Sequence, residues 1–178
     1  MSHLDGKKLV FVDESGCRPG QRLAYGYARR GQRCVESAPL RPQGRLNLLG
    51  WLGASCGEAV LVEDKVTGAV FEHFVEQYLA PSLEPGDIVV WDNARIHTAR
   101  AVALVEATGA CVLTLPRYSP EYNAIEHLWS KLKHYLRKAR ADTVETLKQA
   151  LYAAMETVTA LDAVGWIRHC GYTINQIG

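Results

Sequence analysis

The chain has 178 residues, 48% of them apolar, a formal net charge of +1 and five cysteines. That length suits one domain with a real core, and no run of about 18 uncharged apolar residues is present to cross a membrane. The first eight residues hold no apolar signal core, and the cysteines at 17, 34, 56, 111 and 170 form no C-x-x-C pair, which argues against a disulfide frame or a zinc site and for a cytoplasmic protein.

Residues 8–13 read as a buried strand that ends at Asp13. Residues 23–29 alternate weakly and are rich in tyrosine, which predicts a second strand before a turn at 29–33. Pro39 to Gly44 reads as a loop. Residues 45–54 and 59–63 predict a third strand and a shorter fourth, so this half reads as an antiparallel meander. The period then changes. Val70, Phe71, Phe74, Val75, Tyr78 and Leu79 recur at helical spacing, until Pro81 and Pro85-Gly86 stop the helix.

Residues 87–91 predict a strand ending at Asp92. Thr98 N-caps a helix to Thr108, with Gly109 as its stop. Residues 110–115 form a strand ended by Pro116. Ile125, Leu128, Trp129, Leu132, Tyr135 and Leu136 make one apolar stripe on the next helix. Thr143 caps another, with Leu147, Leu151, Met155 and Val158 inward; the stretch from Asp162 fits no one element. Strands first, then helices alternating with strands, predict an α/β fold with a mixed sheet and helices on both faces. Trp51, Trp91, Trp129 and Trp166 are expected in the core rather than as base-stacking platforms.

Charge is unevenly distributed. Residues 18–45 carry seven arginines and one acid, and residues 117–140 have a net charge of +4, whereas residues 46–92 have a net charge of −7. Phosphate binding depends on local charge rather than on the total. Arg29, Arg30 and Arg33 are therefore candidates for contacts to DNA phosphates.

Asp13 and Asp92 each end a strand-forming run, and open α/β sheets build sites beyond the carboxyl ends of parallel strands. Glu126 stands at the start of a helix. It completes a capping box with Asn123, or it heads a polar edge. With about 100° per residue, Ser130, Lys133 and Arg137 share that edge, which makes Lys133 and Arg137 further DNA-contact candidates. Three carboxylates delivered from two strands and a helix are the set that a pair of magnesium ions needs for phosphodiester chemistry.

The segments Phe11-Val-Asp13-Glu-Ser15, Gly26-Tyr27 with Arg30-Gly-Gln-Arg33, Val90-Trp-Asp92-Asn-Ala-Arg-Ile-His97 and the run 115–129 together resemble the catalytic domain of DDE transposases. The likeness is to the mariner-like superfamily in its bacterial insertion-sequence branch, of the insertion sequence 630 type. Asp92 and Glu126 are separated by 33 residues, near the spacing of that family. The resemblance implies a ribonuclease H-like fold over about residues 7–140, with residues 141–178 as a helical extension of the same single domain. It implies strand cleavage and strand transfer with two Mg2+ ions, for which Mn2+ can substitute, held by Asp13, Asp92 and Glu126. Asn93, His97, Ser119, Pro120 and Asn123 match the motifs; Ser119, Pro120 and Asn123 are read as shapers of the turn before the Glu126 helix, and His97 as fixing the strand-to-helix turn in preference to orienting a phosphate or a water.

Its implied partners are double-stranded DNA, both transposon ends and target, and a second copy of the chain as a homodimer. Localisation would be cytoplasmic, on the nucleoid when bound to DNA. Only twelve residues precede Asp13, so the helix-turn-helix modules of full-length relatives are not in this sequence. A separately encoded N-terminal DNA-binding portion is the expected further partner. Two other readings stay open: a nuclease of the same fold that cuts without joining, and a non-catalytic DNA-binding remnant.

Overall fold

The computed structural model describes residues 6–39, 43–117 and 119–174. Five strands form one sheet: β1 (Leu9–Cys17), β2 (Leu46–Leu52), β3 (Gly57–Val62), β4 (Ile88–Trp91) and β5 (Cys111–Thr114), in the order β3-β2-β1-β4-β5. β1, β2 and β3 pair antiparallel, whereas β4 joins β1 in parallel and β5 joins β4 in parallel. The mixed sheet expected from the sequence is therefore present.

Helices cover both faces, as the alternation along the strands requires. Val12, Leu49, Trp51, Val89 and Trp91 pack with α1 (Gly68–Phe74), its continuation Val75–Leu79 and α2 (Ala99–Glu106). Leu9, Phe11, Leu48, Leu52 and Val90 pack on the other face. There they meet α3 (Ile125–Ala139), α4 (Val144–Met155) and α5 (Ala160–His169). Thr98 caps α2 by accepting the Ala101 N–H, and Gly109 stops it at φ 85°. Thr143 and Thr159 open α4 and α5 through capping boxes. The second box gives the stretch around Asp162 the order that its apolar pattern did not reveal. Trp51, Trp91 and Trp129 are buried and Trp166 is half-buried. Among the described residues no helix is long and apolar enough to cross a membrane.

Two expectations fail. Residues 23–29 form no strand: Tyr25 and Tyr27 are 92% and 106% exposed. The alternate positions there are Ala24, Gly26 and Ala28, which offer little area to bury, and both edges of β1 are already occupied by β2 and β4. Residues 18–45 instead make an irregular, largely exposed excursion between β1 and β2. Arg22 ties its base to Asp142 and Glu36, and Arg140 also pairs with Glu36. Nor does β1 end at Asp13. It runs to Cys17, because pairing with β2 continues as far as Cys17 opposite Leu46.

Candidate active site

What ends near Asp13 is the other edge of β1. Parallel pairing with β4 runs only from Leu9 opposite Ile88 to Phe11 opposite Val90. Beyond that pair the two chains part, and Asp92 follows the last residue of β4. Strand parity then fixes the face. Leu9 and Phe11, and Ile88 and Val90, turn toward the α3 side. Two residues further on, Asp13 and Asp92 share that side. The first turn of α3 brings Glu126 to the same edge. The three carboxylates line one cleft of about 460 Å³, together with Asn93, Arg95, Leu115, Pro116, Arg117, Ser119, Pro120 and Asn123.

Each acid is held differently. Asp13 is half-buried; its Oδ1 accepts the Glu14 N–H at 2.8 Å and its Oδ2 accepts the Trp129 indole N–H at 3.1 Å. Burial, reinforced by the negative charges of Glu126 and Asp92, pushes its carboxyl up to about 7. Asp92 is exposed and accepts the Ala94 N–H at 3.0 Å, forming an Asx-type turn. His97 locks that turn from below. Its Nδ1 lies 2.7 Å from the Asp92 carbonyl oxygen. Its ring stacks on Trp91 at 4.9 Å and packs against Phe71 at 4.6 Å. Burial holds the imidazole below its usual pKa; a carbonyl oxygen only accepts, so the neutral ring donates from Nδ1. That geometry suits the turn-shaping role expected of His97.

The capping box considered for Asn123 and Glu126 does not form. Ala124 occupies the N-cap of α3 without a side-chain cap, and the Glu126 N–H bonds instead to the Asn123 carbonyl oxygen. Glu126 is exposed, and its carboxylate is not spent on the helix end. Asn123 is buried, with no hydrogen-bond partner for its Oδ1 among the described residues.

Among the described residues no three His, Cys, Asp or Glu side chains are gathered tightly enough to enclose one ion. The acids surround a cleft instead. Magnesium is commonly held by one or two carboxylates plus substrate phosphates, keeping some water, rather than by an all-protein cage. An all-oxygen donor set of mutually repelling carboxylates fits such a cation.

Arg29, Arg30 and Arg33 lie on the exposed excursion and do not line the cleft; Lys133 and Arg137 are half-buried along α3. Sequence reasoning missed Arg95 and Arg117, which do line it. Both stand inside the quoted motifs, and a cation that close to Asp92 or Ser119 was the available signal. It also missed the bond from Trp129 to Asp13, because an apolar stripe explains that tryptophan without it.

The raised Asp13 carboxyl gives a pH signature for the metal-free chain. Its folded pKa of about 7 exceeds the ordinary 3.8. The folded state therefore binds the proton more tightly, and the chain loses stability as pH rises from about 4 to about 7. Asp13→Asn should remove that loss and stabilise the metal-free chain at pH 7.5, on the order of 1–2 kcal/mol. Urea unfolding at pH 4.5 and 7.5 checks this; a variant less stable than the parent at pH 7.5 would contradict it.

Residues 8–148 match the family model described as DDE superfamily endonuclease. The chain belongs to this family. No curated protein sequence matches it. The DDE endonuclease fold seen here is ribonuclease H-like and resembles solved Mos1 structures. The Mos1 strand transfer complex superposes with a TM-score of 0.74 at 24% identity, covering 93% of this chain and 52% of that one. The catalytic domain of Mos1 mariner transposase gives 0.63 at 20% identity, over 93% and 76%. The Mos1 paired-end complex with Mg gives 0.68 at 23% identity, over 91% and 52%. This DDE endonuclease chain thus spans about half the length of the Mos1 chains in the two complexes.

Proposed function

We propose that the chain is the catalytic domain of a transposase, cutting DNA and joining the freed 3′-hydroxyl to target DNA. The observation that carries this reading is the convergence of Asp13, Asp92 and Glu126, from β1, the end of β4 and α3, on one cleft. The complexes described for Mos1 with Mg and with Mn support a divalent cation for the same fold.

In this reading Asp13, Asp92 and Glu126 hold two Mg2+ ions, with Mn2+ as a substitute. Bound there, the metal would neutralise the diester and acidify the attacking water or hydroxyl. The chain itself does the placing. Asp13, pinned at both oxygens, presents a fixed ligand, while Asp92 and Glu126 approach from the cleft's other walls. Arg95 and Arg117 offer forked N–H donors to phosphate oxygens. In cleavage, water oxygen bonds to phosphorus and the P–O3′ bond breaks. In transfer, the freed 3′-hydroxyl attacks a target phosphodiester and displaces the target's own 3′-oxygen.

Supercoiled plasmid with Mg2+ or Mn2+ tests cleavage. A pre-cut duplex carrying the terminal sequence that flanks the gene tests joining. Nicking together with joined product supports the proposal; nicking without joining favours a nuclease of this fold; neither reaction from folded protein removes the catalytic reading.

Duplex DNA is the proposed partner, which puts the chain on nucleoid DNA in the cytoplasm. Two copies acting on two ends complete the same proposal. Arg29, Arg30 and Arg33 on the exposed excursion, with Lys133 and Arg137 on α3, would contact phosphates, which position a duplex without reading its sequence. Neutralising the three arginines together should weaken binding to unrelated duplexes alike. It should also flatten the salt slope by roughly one per arginine. Binding titrations across a salt series measure both; an unchanged slope, or a loss confined to one sequence, would contradict the assignment.

A further inference from the structure

Trp129 is 2% exposed and sits on the stripe that packs α3 against the sheet. That burial alone accounts for an apolar side chain at this position, but not for an indole N–H directed at a carboxylate. The N–H donates to Asp13 Oδ2 at 3.1 Å. The strand beside Asp13 is shaped to permit it. Gly50 is the cross-strand partner of Asp13. A Cβ at Gly50 would lie 2.6 Å from the outer edge of the Trp129 ring and 2.7 Å from the Glu58 carbonyl oxygen. Only glycine leaves room for the ring to cross β2 and reach β1.

We infer that Trp129, seated over Gly50, is a positioning residue that fixes Asp13 as a metal ligand. A carboxylate has about four lone-pair positions. The Glu14 N–H occupies one on Oδ1 and the indole one on Oδ2, which sets the tilt of the group and leaves each oxygen with capacity toward the cleft. The kind of donor matters as much as its direction. A lysine or arginine in this place would orient Asp13 equally well, but its positive charge would compete with the cation. A neutral N–H orients the ligand and leaves its charge intact. Partners of this kind behind a ligand are typically worth roughly 10- to 100-fold in metal affinity or activity.

The inference rests on Asp13 being a ligand, so the test separates the two. The full chain is labelled with 15N-tryptophan, giving indole signals from Trp51, Trp91, Trp129 and Trp166, and Trp129→Phe assigns its own signal by loss. Mg2+ is titrated into the parent and into Asp13→Asn, and Mg2+ affinity is measured by calorimetry for all three proteins. The Trp129 signal should move saturably with Mg2+ in the parent. It should lie elsewhere and cease to respond in Asp13→Asn. Trp129→Phe should bind Mg2+ roughly tenfold more weakly. If Asp13→Asn weakens Mg2+ binding while the Trp129 signal of the parent stays still, or while folded Trp129→Phe binds as the parent does, the positioning role is overturned and Asp13 stands as a ligand. If Asp13→Asn binds Mg2+ like the parent, the ligand assignment itself fails and the inference falls with it. The titration of the parent needs no substitution in the core, so a poorly folded Trp129→Phe does not block the test.

Discussion

Asp92→Asn is expected to reduce metal-dependent strand cleavage by roughly a hundredfold or more while leaving the fold unchanged. The two halves of that result have separate causes. Asparagine keeps the side-chain oxygen that accepts the Ala94 N–H, so the turn survives. His97 Nδ1 lies 2.7 Å from the Asp92 backbone carbonyl, which the substitution does not touch, and its longer approach of 3.4 Å to Oδ1 meets an amide oxygen in asparagine. What disappears is one negative charge at the edge of the cleft, in a set where every acid would share the load of two cations. Losing a ligand removes several kcal/mol of transition-state stabilisation, and each 1.36 kcal/mol is a factor of ten in rate. Plasmid nicking rates and unfolding midpoints, measured on the same preparations, check the two halves. Near-parental cleavage by the folded variant would reject Asp92 as a ligand.

Phe71→Ala should cost about 3–5 kcal/mol of stability. Phe71 is fully buried, and its ring lies 5.9 Å from Phe74, 5.6 Å from Trp91 and 4.6 Å from His97. A domain of this kind has only about 5–15 kcal/mol of stability in total, so the loss is a large fraction of it. The damage also reaches the turn at Asp92. The imidazole of His97 is held below its usual pKa mainly by burial; without the Phe71 ring it should titrate closer to the ordinary 6.5. Urea unfolding gives the stability change and NMR titration the His97 shift. A cost under about 1 kcal/mol, or an unmoved His97, would show that the pocket closes over the gap.

Asp13 was picked as a strand end, but only the pairing of β1 with β4 stops short of it. Asp92 was legible because it follows a strand-forming run that does end at Trp91, a local property. Thr98 and Gly109 announced α2 for the same reason. The true extent of β1 was not legible, since it depends on how far β2 follows alongside, 29 residues away at Cys17 and Leu46. Residues 23–29 alternate like a strand, but both edges of β1, which they follow, are taken by β2 and β4. The ambiguity at Glu126 needed the backbone: capping box and polar edge share one pattern, and only the N-cap at Ala124 separates them. Trp129 and Gly50 were read as core and as part of a strand. Their relation to Asp13 is a three-element contact that no single stretch of sequence contains. Arg117 was counted in a basic segment without a place, because the loop that carries it to the cleft has no periodicity to read.

The direct measurement is anomalous diffraction from crystals of the chain soaked in Mn2+. The account predicts manganese in the cleft, with Asp13, Asp92 and Glu126 all in contact with bound ions and Trp129 still donating to Asp13. Manganese bound elsewhere with these three carboxylates free of it, at a concentration that supports cleavage, would contradict it.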